Sequence, residues 1–187
     1  MIRICLTGAE STGKSVLAPR LAARFGGVVL PEYGRAYAEA HGTDFTIDDL
    51  RRIADGHIAA RLITEAARPQ LIVEDTDIVL TGAWAEMLFG APDPVLEAIP
   101  ATADLYLLFS PDVPWIDDGT RMFGSGPARA RFHALIEAGL ARRGIDPVRI
   151  GGAWNDRLAG AVAAVARILP GDDQRIADRS GEVPHVT

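Results

Sequence analysis

The stretch Gly8-Ala9-Glu10-Ser11-Thr12-Gly13-Lys14-Ser15 fits the pattern G-x-x-x-x-G-K-[ST], which is typical of a phosphate-binding P-loop. It follows a short apolar run that starts at Ile2, and it leads into a segment with helical periodicity. The motif needs this strand–loop–helix context, because backbone N–H groups of the loop and the N-terminus of the helix bind the phosphates together. Residues 8–15 therefore predict a nucleotide triphosphate site.

The residue types of the loop define what each position does. The two glycines let the backbone curl tightly, so that its N–H groups point at a polyphosphate. Lys14 is expected to reach the β- and γ-phosphates, and the Ser15 hydroxyl is expected to hold Mg²⁺. ATP and Mg²⁺ are thus the expected cofactors. The residues expected to bind them here are Gly8, Glu10, Ser11, Thr12, Gly13, Lys14, Ser15 and Val16.

The amino-acid composition limits which binding partners and which cellular compartment are expected. The chain has 187 residues with 19 Lys+Arg against 25 Asp+Glu, a net charge of −6, which argues against a nucleic-acid partner held by a basic surface. A single cysteine cannot form an internal disulfide, so we expect a cytoplasmic protein. No signal peptide is visible, and no apolar run approaches the roughly 18 residues of a membrane span. Homo-oligomerisation is left open.

Apolar runs alternate with helical patterns along most of the chain. We predict the order β-α-β-α-α-β-α-α-β-loop-α-β-α, hence an α/β fold with a five-stranded parallel sheet and helices on both faces. Residues 1–169 are expected to form one domain, and residues 170–187 are expected to be a disordered tail. The predicted strands are 2–7, 28–30, 70–73, 105–109 and 148–150. The predicted helices are 14–25, 33–40, 46–67, 78–89, 93–99, 127–143 and 154–169.

Polar clusters follow several of the predicted strands. Glu32 to Arg35 follow the second strand, and Glu74 to Asp77 close the third in a Walker B arrangement, where a carboxylate can orient Mg²⁺. A solvated strand end with surface acids is the alternative for the second cluster. Because the carboxyl ends of parallel strands meet at one rim, these clusters are expected beside the P-loop.

Together these clusters favour phosphoryl transfer from ATP to a small acceptor. Positive charge at the transferred group can come from Arg121, Arg129 or Arg131, of which Arg121 lies in a long loop suited to a lid. Glu32 or Asp75 can accept the acceptor's proton. The alternative for each arginine is a solvated surface residue.

Aromatic and histidine side chains near the rim allow two interpretations. Tyr33, Trp84 and Trp115 lie beside several acids, a combination that suits a cationic ring through stacking and cation–π attraction. Core packing is the alternative for both tryptophans. His57, beside the apolar face of its helix, is interpreted as structural.

Four motifs that follow one another along the chain resemble those of a known family. They are the P-loop, Glu32-Tyr33-Gly34-Arg35-Ala36-Tyr37, Asp75-Thr76-Asp77 followed by Thr81 and Trp84, and residues 112–121, Asp-Val-Pro-Trp-Ile-Asp-Asp-Gly-Thr-Arg. With these motifs, residues 1–168 resemble the bacterial ribosylnicotinamide (nicotinamide riboside) kinases, best known as the C-terminal kinase domain of a multifunctional NAD-biosynthesis regulator. The resemblance does not reach the regulator's helix-turn-helix or adenylyltransferase domains, so their functions are not carried over.

The resemblance implies a nucleoside- and nucleotide-kinase-like P-loop fold with a lid. It also implies ATP-dependent 5′-phosphorylation of nicotinamide riboside, a small-molecule substrate, to nicotinamide mononucleotide. The implied catalytic residues are Lys14, Glu32, Asp75 and Arg121, and the implied metal ligands are Ser15 and Asp75. The implied substrate contacts are Glu32, Tyr33, Arg35, Asp77, Trp84, Trp115 and Asp118, while Gly152, Trp154 and Arg157 fall in the expected adenine loop.

Two other functions stay open from the residues alone. One is a P-loop kinase for another nucleoside or small hydroxylated metabolite, which would share the P-loop and the lid. The other is a nucleotide-binding switch or ATPase that acts on a protein partner, since this fold hosts many functions.

Overall fold

Five parallel strands form one sheet within residues 1–116, 124 and 126–169, the part of the chain that the computed structural model describes. Their order across the sheet is β2-β3-β1-β4-β5, so β1, which leads into the P-loop, is central. The strand at residues 105–109 consists of apolar and aromatic residues, as expected for a sheet covered on both faces. The strands are β1 (Ile2–Gly8), β2 (Val28–Leu30), β3 (Leu71–Asp75), β4 (Leu105–Phe109) and β5 (Val148–Ile150).

Helices cover both faces of the sheet and bury two main apolar clusters. On one face, α1 and α7 pack against β1 and β3 around Leu21 and Val165. On the other, α4 and α6 pack around Phe132 and Ile136, and α3 continues this layer through Leu50. The helices are α1 (Lys14–Phe25), α2 (Tyr33–His41), α3 (Ile47–Ala66), α4 (Ile78–Phe89), α5 (Pro94–Ala98), α6 (Gly126–Arg142) and α7 (Trp154–Ile168).

The predicted fold class and element order are confirmed. Pro19 lies inside α1, which is nevertheless assigned as one helix from Lys14 to Phe25. The predicted helix start at Thr46 is confirmed as a capping box, in which Thr46 and Asp49 satisfy each other's backbone N–H groups. Among the described residues, no helix combines the length and apolar character that a membrane span requires.

The predicted end of the third strand was wrong by two residues. Cys5 and Leu6 of β1 pair with Glu74 and Asp75, so β3 continues through the two acids to Asp75. Both carboxylates are therefore buried side chains of the sheet, whereas the sequence suggested a strand that ends before them. Because side chains alternate along a strand, Glu74 and Asp75 point to opposite faces of the sheet.

Candidate active site

A cleft opens at the carboxyl ends of the strands. It begins at the P-loop, passes the residues that follow β2, and continues into an inner compartment between α3, α4 and α6. The inner compartment is mostly apolar and aromatic, and its lining residues are Phe45, Leu50, Ile53, His57, Thr76, Asp77, Leu80, Thr81, Trp84 and Phe132. One continuous cavity therefore joins a phosphate-binding loop to an aromatic pocket.

The P-loop is held in shape by its own residues. Gly13 precedes α1 with φ 92°, a left-handed conformation that favours glycine. The Lys14 ammonium group donates hydrogen bonds to the carbonyl oxygens of Gly8 at 2.8 Å and Ala9 at 3.0 Å. Thr12 donates its hydroxyl to the same Ala9 carbonyl at 2.8 Å. Lys14 thus lies over the loop with 8% of its surface exposed, at the start of the helix whose dipole favours anions.

Asp75 lies where the P-loop leaves the sheet. It is in register with Leu6 of β1, and the next residue, Thr76, donates its N–H to the Leu6 carbonyl at 2.9 Å. The Oδ1 atom of Asp75 is buried and accepts no hydrogen bond from the described residues. Thr76 has φ 72°, which is strained for a β-branched residue and turns the chain sharply after Asp75.

The residues present fit a magnesium ion. A buried carboxylate oxygen without a hydrogen-bond donor, together with a serine hydroxyl on the neighbouring loop, is an all-oxygen set of the kind that Mg²⁺ prefers. Within the described ranges there is no group of three or more His, Cys, Asp or Glu side chains that could hold a metal. Mg²⁺ at nucleotide sites usually takes one or two protein ligands plus phosphates and water, so Ser15 and Asp75 suffice.

Glu32 lines the cleft between the P-loop and β3. Its Oε2 atom lies 3.8 Å from Nε of Arg35, one helical turn further on. Burial and the negative charge of Asp75 raise the pKa of Glu32, against the lowering effect of Lys14 and Arg35. A carboxylate with a raised pKa is a better proton acceptor, so Glu32 suits a general base.

Asp77 borders the inner compartment and begins α4. Its Oδ1 accepts the N–H of Val79 at 2.9 Å, and its Oδ2 accepts the Tyr106 hydroxyl at 2.6 Å. Burial, and to a smaller extent the charge of Glu74, raise the pKa of Asp77. Each carboxylate oxygen thus has a protein partner, and each keeps a lone pair for a ligand.

Trp84 belongs to both the core and the cleft. Its ring lies edge-on to Phe45, with centroids 6.3 Å apart, and edge-on to Phe132 at 5.1 Å. The same three rings line the inner compartment. The two interpretations of Trp84 are therefore compatible, since core contacts orient a ring that is also a wall of the pocket.

The segment after β4 is attached to the P-loop. Ser11 Oγ accepts the N–H of Ile116 at 3.0 Å, and Trp115 Nε1 donates to a Glu10 carboxylate oxygen at 3.5 Å. Arg129 donates from Nε to the Glu10 carbonyl at 3.1 Å and from Nη1 to the Val113 carbonyl at 2.5 Å. The base of the expected lid thus lies directly over the phosphate-binding loop.

Arg157 supports the P-loop from below. Its side chain is 0% exposed, and it donates to the carbonyl oxygens of Gly152 at 2.9 Å, Ser110 at 3.1 Å and Thr12 at 3.2 Å. It also pairs with Asp112. Arg157 is thus a fully buried guanidinium that joins three loops beneath the P-loop, and its contact with the nucleotide stays a prediction.

A family profile described as an AAA domain matches residues 3–157. The chain belongs to this family. Two relatives of this AAA domain are the trifunctional NAD biosynthesis/regulator proteins NadR of Escherichia coli, 33% identical over 155 residues, and Salmonella typhimurium, 32% identical over 155 residues. Each match covers 79% of this chain and 37% of the relative, so the chain spans little more than a third of these proteins.

Solved structures share the fold of this AAA domain. The crystal structure of a NadR protein in complex with NR superposes with a TM-score of 0.76 at 26% identity, covering 89% of this chain and 51% of that one. A thymidylate kinase from Ehrlichia chaffeensis superposes with a TM-score of 0.63 at 14% identity, covering 90% of this chain and 98% of that one. The predicted kinase-like P-loop fold and the NadR-type resemblance are thereby confirmed.

The structure brings most of the predicted site residues of this AAA domain to one cleft. Asp75, Trp115 and Trp154 lie beside the P-loop without lining the cleft, and Gly152 is joined to the loop through Arg157. Asp118 and Arg121 lie outside the described residues. The predicted residues that line the cleft are Gly8, Glu10, Ser11, Thr12, Gly13, Lys14, Ser15, Val16, Glu32, Tyr33, Arg35, Asp77 and Trp84.

Sequence reasoning missed most of the inner compartment. Phe45, Leu80 and Phe132 carry no motif, and a pattern alone cannot distinguish an apolar pocket wall from core. His57 was interpreted as structural, and it also lines the cleft. A signal that was available for His57 is its polar side chain on the buried face of α3.

Proposed function

We propose that this protein is an ATP- and Mg²⁺-dependent kinase that phosphorylates the 5′-hydroxyl of nicotinamide riboside to give nicotinamide mononucleotide. The observation that carries the proposal is the single cleft in which a P-loop opens into an aromatic compartment bordered by carboxylates. A donor site and an acceptor site in one cavity are what direct phosphoryl transfer between two small molecules requires.

The similarity to NadR supports this choice of acceptor. The regulator proteins of two bacteria match over 79% of this chain, and a NadR protein has been solved in complex with NR, which we take to be nicotinamide riboside. Since the chain spans 37% of the regulators' length, we propose the kinase activity for it and none of their other activities.

On the donor side, Lys14 and the N-terminus of α1 supply positive charge to ATP. The Lys14 ammonium group donates hydrogen bonds to the carbonyls of Gly8 and Ala9. When ATP binds, it would donate to oxygens of the β- and γ-phosphates instead. Ser15 and Asp75 would hold Mg²⁺, which neutralises charge on the phosphate oxygens when bound. Arg121, on the expected lid, is the proposed source of further positive charge.

On the acceptor side, Glu32 is the proposed base. It lines the cleft next to the P-loop, and burial with the Asp75 charge raises its pKa toward the range in which a carboxylate accepts a proton readily. Asp75 is better suited to the metal, because its Oδ1 is buried and without a donor. Asp77, at the edge of the inner compartment, is the proposed partner of the ribose hydroxyls.

The electrostatics of the pocket suit a cationic ring. Glu74 and Asp77 are buried beside the inner compartment, and Glu32 lines its entrance. The Trp84 ring forms one wall, and an aromatic face attracts a pyridinium through its quadrupole. A neutral nucleobase would gain nothing from these charges. Tyr33, Arg35, Trp115 and Asp118 remain proposed substrate contacts, and Gly152 and Trp154 remain proposed adenine contacts.

A nucleoside panel tests the proposal. Purified protein with ATP and Mg²⁺ is incubated separately with nicotinamide riboside, uridine, cytidine, adenosine and thymidine, and ADP release is measured. We expect turnover with nicotinamide riboside at a kcat/KM at least tenfold above the others. Phosphorylation of uridine or thymidine without phosphorylation of nicotinamide riboside would refute the assignment.

A further inference from the structure

His57 separates the cleft from a second cavity. It lies on the buried face of α3, is 5% exposed, and lines both the cleft and a small neighbouring pocket. The second cavity also touches Glu74, Asp77 and Arg61. The imidazole ring therefore stands between the aromatic compartment and a buried acidic cluster.

The partners of His57 define its tautomer. Its Nε2 atom lies 3.4 Å from Oε2 of Glu74, which is itself buried. Because a carboxylate can only accept a hydrogen bond, Nε2 is the donor in this contact, and in the neutral imidazole Nδ1 then keeps its lone pair. Arg3, with its Nη1 atom 3.7 Å from Oε1 of Glu74, balances the carboxylate charge.

The Nδ1 atom of His57 has no donor within the described part of the chain. Nδ1 is not fully buried, so water or a donor on a bound ligand can satisfy it. The other polar side chains of the inner compartment are Thr76, Asp77 and Thr81, and both Asp77 oxygens already have protein partners. Nδ1 of His57 is thus a hydrogen-bond acceptor at the wall of the aromatic compartment, where an N–H group of a ligand could donate to it.

We propose that His57 is a specificity-determining residue that accepts a hydrogen bond at Nδ1 from the carboxamide N–H of the acceptor's pyridinium ring. The inference rests on the proposed function, since it assigns the ring to the inner compartment. Glu74 holds the imidazole in the accepting tautomer, so His57 favours a ring substituent that donates.

The test compares two substrates that differ in one group. Nicotinamide riboside carries –CO–NH₂ on its ring, and 3-acetylpyridine riboside carries –CO–CH₃, which keeps the charge, the shape and the carbonyl but lacks the donor. The wild type should prefer nicotinamide riboside by about tenfold in kcat/KM, the effect of one hydrogen bond to a buried group. His57→Leu should bring that ratio to about one, mainly through KM, whereas His57→Gln, which keeps an acceptor, should retain part of it.

His133→Leu is the matched control. His133 is a largely buried histidine on α6 that does not line the cleft, so its removal should leave the substrate ratio at the wild-type value. An unchanged ratio in an active His57→Leu enzyme overturns the proposal and leaves the kinase assignment intact. A wild type that uses both ribosides equally overturns it without any variant. A wild type that uses neither riboside contradicts the proposed function itself.

Discussion

Replacing Arg157 with methionine tests how the P-loop is supported. Methionine fills a similar volume without donating hydrogen bonds. In the native protein the guanidinium, 0% exposed, holds the carbonyls of Thr12, Ser110 and Gly152, which belong to three different loops. Its removal leaves these acceptors without their donor at the base of the nucleotide site.

The expected loss of stability follows from these contacts. A buried acceptor left without its donor costs about 1–3 kcal/mol, and the three losses overlap because the loops can relax together. The Asp112 side chain is 46% exposed, so water can hydrate its charge and it adds little. We expect the free energy of unfolding of Arg157→Met to fall by about 3–5 kcal/mol, from overlapping losses of about 1–3 kcal/mol at each of the three carbonyls.

Thermal and urea unfolding, followed by circular dichroism, measure this loss. For a domain of this size, 1 kcal/mol lowers the melting temperature by about 2–4 °C, so the variant should melt roughly 6–20 °C below the wild type. Titration with ATP should also show weaker binding, since Thr12 is part of the loop that Arg157 anchors.

Arg149→Met is the control for this substitution. Arg149 lies on β5 close to Arg157 in sequence, but its side chain is 63% exposed and pairs with Glu137 at the surface. An exposed ion pair contributes little, so Arg149→Met should change the free energy of unfolding by less than about 1 kcal/mol. If Arg157→Met unfolds like Arg149→Met, the buried guanidinium does not support the P-loop and this reasoning is wrong.

Three further predictions concern single side chains. Lys14→Ala should lower kcat by at least about 10²-fold, the effect of losing one charge-stabilising donor, with the thermal unfolding curve largely kept. Gly13→Ala should abolish nucleotide binding measured by calorimetry, because its new Cβ would lie 2.3 Å from the Trp154 ring; Gly26→Ala, also at positive φ but with nothing within 4 Å, should bind normally. Arg51, whose Nη2 lies 2.8 Å from Asp93 Oδ2, and the backbone N–H groups at the start of α5 lower the pKa of Asp93. Asp93→Asn should therefore be less stable than the wild type at neutral pH, and the difference in urea midpoint should vanish as the pH falls below the lowered pKa.

The order of strands and helices could be predicted because local sequence patterns show where each element begins and ends. Apolar runs such as residues 105–109 are too short for a helix, and glycines or capping residues follow the helical patterns. Thr46 and Asp49 form a capping box from two residues three apart, which is a local interaction that a sequence displays directly.

What could not be predicted depends on contacts between distant residues. Glu74 and Asp75 look like a polar loop, and they belong to β3 because pairing with β1 extends the strand. His57 meets Glu74 on another element, and Arg157 meets Thr12 at the opposite end of the sequence. No local sequence pattern predicts either contact. The position of Arg157 beneath the P-loop and that of His57 at the cleft could therefore be seen only in the structure.

Direct observation of the product tests the central claim. Purified protein, ATP and Mg²⁺ are incubated with nicotinamide riboside, and the products are separated by chromatography and identified by mass spectrometry and ³¹P NMR. We predict stoichiometric ADP and nicotinamide mononucleotide with the phosphate on the 5′-oxygen, and no product from the 5′-deoxy analogue. ATP consumption without a phosphorylated riboside, or a phosphate on a 2′- or 3′-oxygen, would contradict the account.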